Sequence, residues 1–244
     1  MLSIFKTLAT RNADRSAARQ SRILRWDQPL TGKRQRLRAW LNMLFIDHGI
    51  IRLVYVNEHS VTPDFSRSAQ PAPHDIRRLA SAGLRTIVNL RGGREHGAWA
   101  LQREACERHG VELREITIRS RGAPDKETLL ALPAFFASLH YPALAHCKSG
   151  ADRAGLFSAL YLLVKENRPV AEAKKQLALR YGHVRYAKTG VLDAFLEAFE
   201  REGEAKGLSF LGWVEQVYDP ARVEAEFHEG FWASLLIDKV MRRE

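Results

Sequence analysis

The sequence predicts an α/β fold: a central sheet flanked by helices, with a basic N-terminal arm and extra C-terminal helices. Three observations carry this. Short apolar or alternating runs recur between segments of helical periodicity, everything after residue 165 reads as helix, and the basic charge gathers at the N-terminus. With 244 residues, 45% hydrophobic and 27% charged, the chain can bury a core, which excludes disorder over its whole length. Only two cysteines, Cys106 and Cys147, exclude a disulfide scaffold and point to a reducing compartment.

Residues 1–38 hold ten basic side chains against Asp14 and Asp27, so +8 of the net +10 lies in this arm. Such an arm suits an anionic membrane surface and equally a solvated tail; no specific nucleic-acid binding is expected. The opening MLSIFKTLAT lacks the charged start, long apolar run and cleavage site of a secretory signal. Arg-rich composition over the first 25 residues is shared by organellar presequences and by basic arms, and the arm is the preferred reading. The apolar stretch 39–56 is broken by Asp47, His48, Gly49 and Arg52, unlike a membrane span of about 20 uncharged residues. The expected location is cytoplasmic, at the inner face of a membrane if the arm binds lipid.

No repeat or long linker divides the rest. Residues 39–205 are expected to form one catalytic domain and 206–244 a helical extension. Leu37, Trp40, Leu41, Leu44 and Phe45 recur at helical spacing and predict a helix over 33–47; the β-branched run Ile50 to Val56 predicts a first strand. Pro71 and Pro73 mark a loop, followed by a short helix closed by Gly83. LRTIVNL at 84–90 is a buried strand broken by Gly92 and Gly93. A helix over 96–109 stops at Gly110, and VELREITI at 111–118 alternates like a half-buried strand. Residues 126–140 have helical composition around Pro133, where a turn must begin or kink. PALAH at 142–146 is a short strand, and a nearly all-apolar helix, 154–165, follows it. Helices are expected at 170–181, ending at Gly182, and at 190–202, 208–218 and 221–242.

The chemistry concentrates between that last strand and its helix: His146, Cys147, Lys148, Ser149, Gly150, Ala151, Asp152, Arg153. A loop so placed turns its N–H groups toward one point, and the helix dipole adds positive potential there. Gly150 lets the backbone turn sharply. Arg153, six residues after the cysteine, can return across the cradle and grip two phosphate oxygens with its planar fork. Helix N-termini and nearby cations favour the thiolate, so Cys147 is expected as a nucleophile aimed at bound phosphorus. His146 is expected to orient the loop.

This segment resembles the cysteine-dependent phosphatases of the tyrosine and dual-specificity superfamily. The likeness is greatest to the atypical fungal and plant members, which act on inositol pyrophosphates or phosphotyrosine, and to bacterial relatives of the kind fused to NAD kinase. It covers residues 60–166: FSRSAQP at 65–71, GLRTIVNLR at 83–91, Pro124-Asp125, and the His-Cys loop. It implies a dual-specificity-phosphatase-like sheet and a phosphocysteine mechanism with no metal and no organic cofactor. The implied substrates are a phosphorylated protein, an inositol phosphate or a phosphoinositide.

By the same resemblance the catalytic set is Cys147, Arg153 and Asp125, with His146, Lys148, Ser149, Gly150, Ala151 and Asp152 around the substrate. Asp125, 22 residues before Cys147, sits where the family has a Pro-Asp acid; it equally suits the cap of the helix starting at Lys126. Asp152 is the competing acid, since myotubularin-like lipid phosphatases are similar in having Asp there. Ala154 departs from the pattern, which has Ser or Thr to steady the departing thiolate. Lys148 resembles loops acting on inositol phosphates and equally suits a surface lysine. Arg91 and Glu95 are expected to pair across the turn after strand 84–90, and Cys106 to be plain packing. Two other functions stay open: a pseudophosphatase that binds phosphorylated partners without turnover, and a rhodanese-like sulfurtransferase.

Overall fold

The computed structural model describes residues 16–228. Five strands form one sheet in the order β1-β2-β5-β3-β4, where β1 is His59–Thr62, β2 Phe65–Ala69, β3 Thr86–Asn89, β4 Glu112–Glu115 and β5 Ala143–Cys147. β1 and β2 make an antiparallel hairpin; every other pairing is parallel. β5 is central and buried along its whole length, with Cys147 beside Ala69 of β2 and His146 beside Asn89 of β3.

The three helical connections of the parallel strands cover both faces, as parallel sheets require. α4 (Pro73–Ser81) and α5 (Gly97–His109) lie over one face, around Ile76, Ile87, Cys106 and Val111. α6 (Lys126–Ala137) and α7 (Asp152–Val164) lie over the other, where Phe65, Phe136, Phe157 and Tyr161 stack. α8 (Val170–Ala173), α9 (Val191–Glu202), α10 (Phe210–Gln216) and α11 (220–228) follow. They extend this core through Phe195, Trp213 and Tyr218.

Ahead of the sheet stands a helical layer: α1 (16–26), α2 (Lys33–Leu41), a π-turn over Asn42–Ile46, and α3 (Gly49–Val54). The segment expected as a loose basic arm is thus helical from residue 16, and it is anchored. Trp26, Ala39 and Met43 pack on Ala98 and Leu101 of α5. Contact between α2 and α5 depends on Gly97, where a Cβ would stand 2.4 Å from the Ala39 carbonyl oxygen. Asn42 Oδ1 accepts the Gly97 N–H at 2.7 Å.

Two sequence expectations are corrected. The run expected as a first strand, 50–56, is helix α3, because its buried positions Gly49 and Arg52 recur at helical spacing and Arg52 is drawn down onto Asp47. The first strand lies later, in the hairpin β1-β2. The helix expected over 170–181 is α8 followed by two 3₁₀ turns, because the Gln176 carbonyl is taken by the Arg67 side chain instead of a helical N–H. Of the helix expected over 221–242, the part beyond 228 lies outside the described residues, as do residues 1–15. Among the described residues no helix is long and apolar enough to cross a membrane.

Candidate active site

Cys147 ends the central strand and α7 begins at Asp152, so residues 148–151 span the C-terminal edge of the parallel strands, where α/β sheets bind their ligands. The orientation of this loop can be read from its carbonyls. Cys147 O accepts from His146 Nδ1 at 3.2 Å, Lys148 O from Gln70 N at 3.4 Å, and Ser149 O from Asn57 Nδ2 at 2.9 Å. Arg67 Nη2 donates to Gly150 O at 2.6 Å and to Ala151 O at 2.8 Å. All five thus have a partner inside the protein. In a trans peptide the N–H opposes the preceding carbonyl, so the amides of 148–152 point away from these partners. Gly150 makes this possible: its φ is +77°, and a Cβ there would meet Ala69 N at 2.6 Å.

Arg67 is the principal support, and sequence reasoning missed it. It is fully buried, lies over the Tyr181 ring at 4.2 Å, and also donates to Gln176 O at 2.5 Å. Burial pulls its pKa down to about 10, which leaves it charged at neutral pH and close enough to interact with Cys147. Its only sequence signal was FSRSAQP, which marked a resemblance and no role.

His146 is buried, and burial pushes it down to about 3, helped by the charges of Arg91, Arg52 and Arg153. A neutral ring with its proton on Nδ1 satisfies both contacts, donating to Cys147 O while Nε2 accepts from Gln102 at 2.6 Å. Gln102 accepts in turn from Gln70, and Gln70 Oε1 accepts from Arg91.

Arg91 does not pair with Glu95, as the sequence suggested. Glu95 is held by Arg19 and Arg22 of α1, and Arg91 reaches Asp47, 44 residues earlier, with both Nη atoms at 2.7 Å. Asp47 is fully buried and also accepts from Arg52 at 2.8 Å, with Lys148 Nζ at 3.4 Å. Burial alone would raise its carboxyl pKa; the hydrogen bonds and charge of Arg91, with the charge of Arg52, overcome that and hold it well below the usual carboxylate range. A continuous polar chain therefore runs from Asp47 through Arg91, Gln70 and Gln102 to His146.

Asp152 is engaged on the other flank. His183, almost fully buried, donates from Nδ1 to Asp152 at 2.7 Å and from Nε2 to Asp193 at 2.7 Å. Burial alone would lower the imidazole; the two carboxylates outweigh it and raise it to about 9. Asp125 stands apart: it is the N-cap of α6, 61% exposed, with Arg119 at 3.9 Å. Ala154 is buried and presents no hydroxyl. Cys106 packs inside α5, where burial pushes its thiol up to about 12. Among the described residues no cluster of His, Cys, Asp and Glu is arranged to hold a metal ion.

A cavity of about 370 Å³ opens over the loop. Lys148, Ser149, Ala151 and Arg153 form its floor, and His48, Ile51, Arg52 and Tyr55 of the N-terminal layer face Tyr181 and Gly182 across it. Of the expected site residues, Lys148, Ser149, Ala151 and Arg153 line this cavity, whereas Cys147, which is buried, His146, Gly150, Asp152 and Asp125 are not among its lining residues. A concave cluster of amides and cations at a helix N-terminus can bind and polarise a phosphoryl group.

The sequence matches, over residues 65–188, the family described as the Swiss Army Knife protein DSP-PTPase phosphatase domain. Among solved structures, P. aeruginosa TpbA is similar at 20% identity, covering 59% of this chain and 84% of its own, with a TM-score of 0.49. The core catalytic domain of the PP-IP phosphatase SIW14 from S. cerevisiae is similar at 15% identity, covering 62% and 93%, with a TM-score of 0.47. No curated protein matches significantly. The chain belongs to the dual-specificity-type cysteine phosphatase family.

Proposed function

We propose that this member of the phosphatase family hydrolyses a phosphomonoester through a phosphocysteine intermediate at Cys147. The observation that carries the reading is the loop 147–151 between Cys147 and Arg153, whose five carbonyls all have partners inside the protein, which leaves its amides turned away from those partners. A bound phosphate meets these amides, the α7 N-terminus and the Arg153 fork. The Cys147 thiolate attacks phosphorus; the S–P bond forms, the ester P–O bond breaks, and the leaving oxygen takes a proton. Water then attacks the phosphocysteine, the S–P bond breaks, and inorganic phosphate and thiolate are released. The buried charge of Arg67 stabilises the departing sulfur where Ala154 offers no hydroxyl.

We assign the proton donor to Asp125, since Asp152 is held between His183 and the helix start. Asp125 lies outside the cavity lining, so this role requires a leaving group that protrudes from the cavity. The substrate classes this supports are a phosphotyrosine-type protein, an inositol phosphate or a phosphoinositide, with Lys148 in the cavity lining to meet a further anionic group. TpbA has been crystallised with pTyr, and SIW14 is a PP-IP phosphatase, which favours this set. We place the protein in the cytoplasm, with its basic N-terminus toward anionic lipid. A second reading, phosphate binding with little turnover, is favoured by Ala154 and by the absence of a carboxylate from the cavity lining.

Turnover of an aryl phosphate tests the two readings. Cys147→Ser is expected to abolish it with the fold intact, and Arg153→Lys to impair it severely, since an ammonium cannot reproduce the bidentate grip. Full activity in Cys147→Ser overturns the mechanism, and no activity in the wild type favours the binding reading. Asp125→Asn should spare aryl phosphates, whose leaving group hardly needs a proton, and slow alkyl phosphates by about 10²-fold. If Asp152→Asn shows that contrast instead, the acid assignment is wrong.

A further inference from the structure

The cavity is flanked by apolar side chains that are largely exposed. On the N-terminal side, Ile46, Ile50, Ile51, Val54 and Tyr55 are all more than half exposed, with Val54 at 89%. On the opposite side, Leu179 is 77% exposed and Tyr186 87%, in the segments flanking Tyr181 and Gly182. Because Ile51, Tyr55, Tyr181 and Gly182 line the same cavity, both apolar lips belong to one face of the molecule. Scattered apolar side chains on a surface need no explanation, but a contiguous set around a ligand cavity marks a docking surface.

Charge indicates what docks. Lys33, Arg34 and Arg38 of α2, together with Arg25, are exposed and pair with no carboxylate among the described residues. Arg25 and Arg38 also line a groove of about 720 Å³ that Phe45 and Ile46 share. Lys188 is likewise exposed and unpaired beside the second lip. Apolar side chains that share a groove with unpaired cations, as Phe45 and Ile46 do with Arg25 and Arg38, match the composition of an anionic bilayer surface, where the former enter the acyl boundary and the latter meet headgroups.

We propose that this face docks on an anionic membrane, with Ile50 and Val54 on one lip and Leu179 and Tyr186 on the other entering the interface. The mouth of the cavity then faces the headgroup layer. Resting on the phosphatase reading, the substrate is a phosphomonoester carried on a lipid headgroup.

The test is sedimentation of the full chain with phosphatidylcholine vesicles, with and without about a third phosphatidylglycerol. The wild type and Cys147→Ser are both expected to sediment with the anionic vesicles, so the outcome does not depend on turnover. Added salt should weaken the binding without abolishing it, because part of it is apolar. Ile50→Asp/Val54→Asp, at exposed positions outside the cavity lining, should bind at least roughly tenfold more weakly while hydrolysing a soluble aryl phosphate at the wild-type rate. Wild-type binding by this double variant overturns the proposal and leaves only the basic N-terminus as the contact. Wild-type protein that stays in the supernatant also overturns it, and gel filtration then identifies the occupant. A dimer split by the double variant assigns the face to a second copy.

Discussion

Two buried charge clusters grip the candidate loop from opposite flanks, and they are built in opposite ways. On one side a single carboxylate, Asp47, is surrounded by Arg91, Arg52 and Lys148, all cations. On the other a single imidazolium, His183, lies between the carboxylates of Asp152 and Asp193. The first cluster comes partly from the N-terminal layer, ahead of the residues that match the family; the second follows the loop within about 40 positions. A guanidinium does not lose its proton near neutrality and an imidazolium does, so one flank is indifferent to alkali and the other is not.

The largest effect should come from breaking the first flank. Removing one partner of a buried ion cluster leaves the others uncompensated, so Asp47→Ala should destabilise the protein by about 3–5 kcal/mol in denaturant unfolding. A loss below about 1 kcal/mol would mean that the three cations find water instead, and that this flank is not a clamp. Arg67→Met should come next. It strands the carbonyls of Gly150, Ala151 and Gln176, at roughly 3 kcal/mol, and slows aryl phosphate turnover on the order of 10²-fold by letting the loop relax.

The pH dependence sharpens the comparison. His183 is raised to about 9 from an ordinary 6.5, so its contribution to stability is fully present below pH 6.5 and is lost as the pH climbs through 9. The melting temperature of the wild type should therefore fall toward that of His183→Gln across this window. Parallel curves would show that the imidazole does not carry the charge assigned to it. Asp47 has the opposite sign: a depressed carboxylate contributes above its unfolded value and is lost only as the pH drops far into acid. The smallest effect is expected away from the site. Arg222→Ala breaks a partly exposed pair with Glu202 and should cost no more than about 1 kcal/mol, with turnover unchanged.

Local features were legible in the sequence because their causes are local. The apolar strand before Cys147, the six-residue step to Arg153 and the glycine stop at Gly110 each leave a mark within a few positions. Long-range pairings leave none. Arg67 reaches Gly150 across 83 positions, and Arg91 finds Asp47 rather than its neighbour Glu95, because burial rather than proximity in the chain decides which carboxylate it takes. The misread run 50–56 has a similar origin. β-branched composition argued for a strand, but Arg52 has a buried carboxylate to reach, and a helical turn brings it there. Asp125 was visible as a Pro-Asp pair, although what it faces depends on how α6 is set against the sheet.

Asp47 also separates two meanings of the word domain. The stretch that matches the family begins at residue 65, yet a fragment cut there would lose α3 and β1 and leave the guanidinium of Arg91 facing an empty slot. It would lose Asn57 as well, which spans Ser149 O and Tyr181 O with one amide group. The unit shared by descent is therefore smaller than the unit that folds. Limited proteolysis of the intact protein should spare the junction near residue 57 until the sheet itself opens.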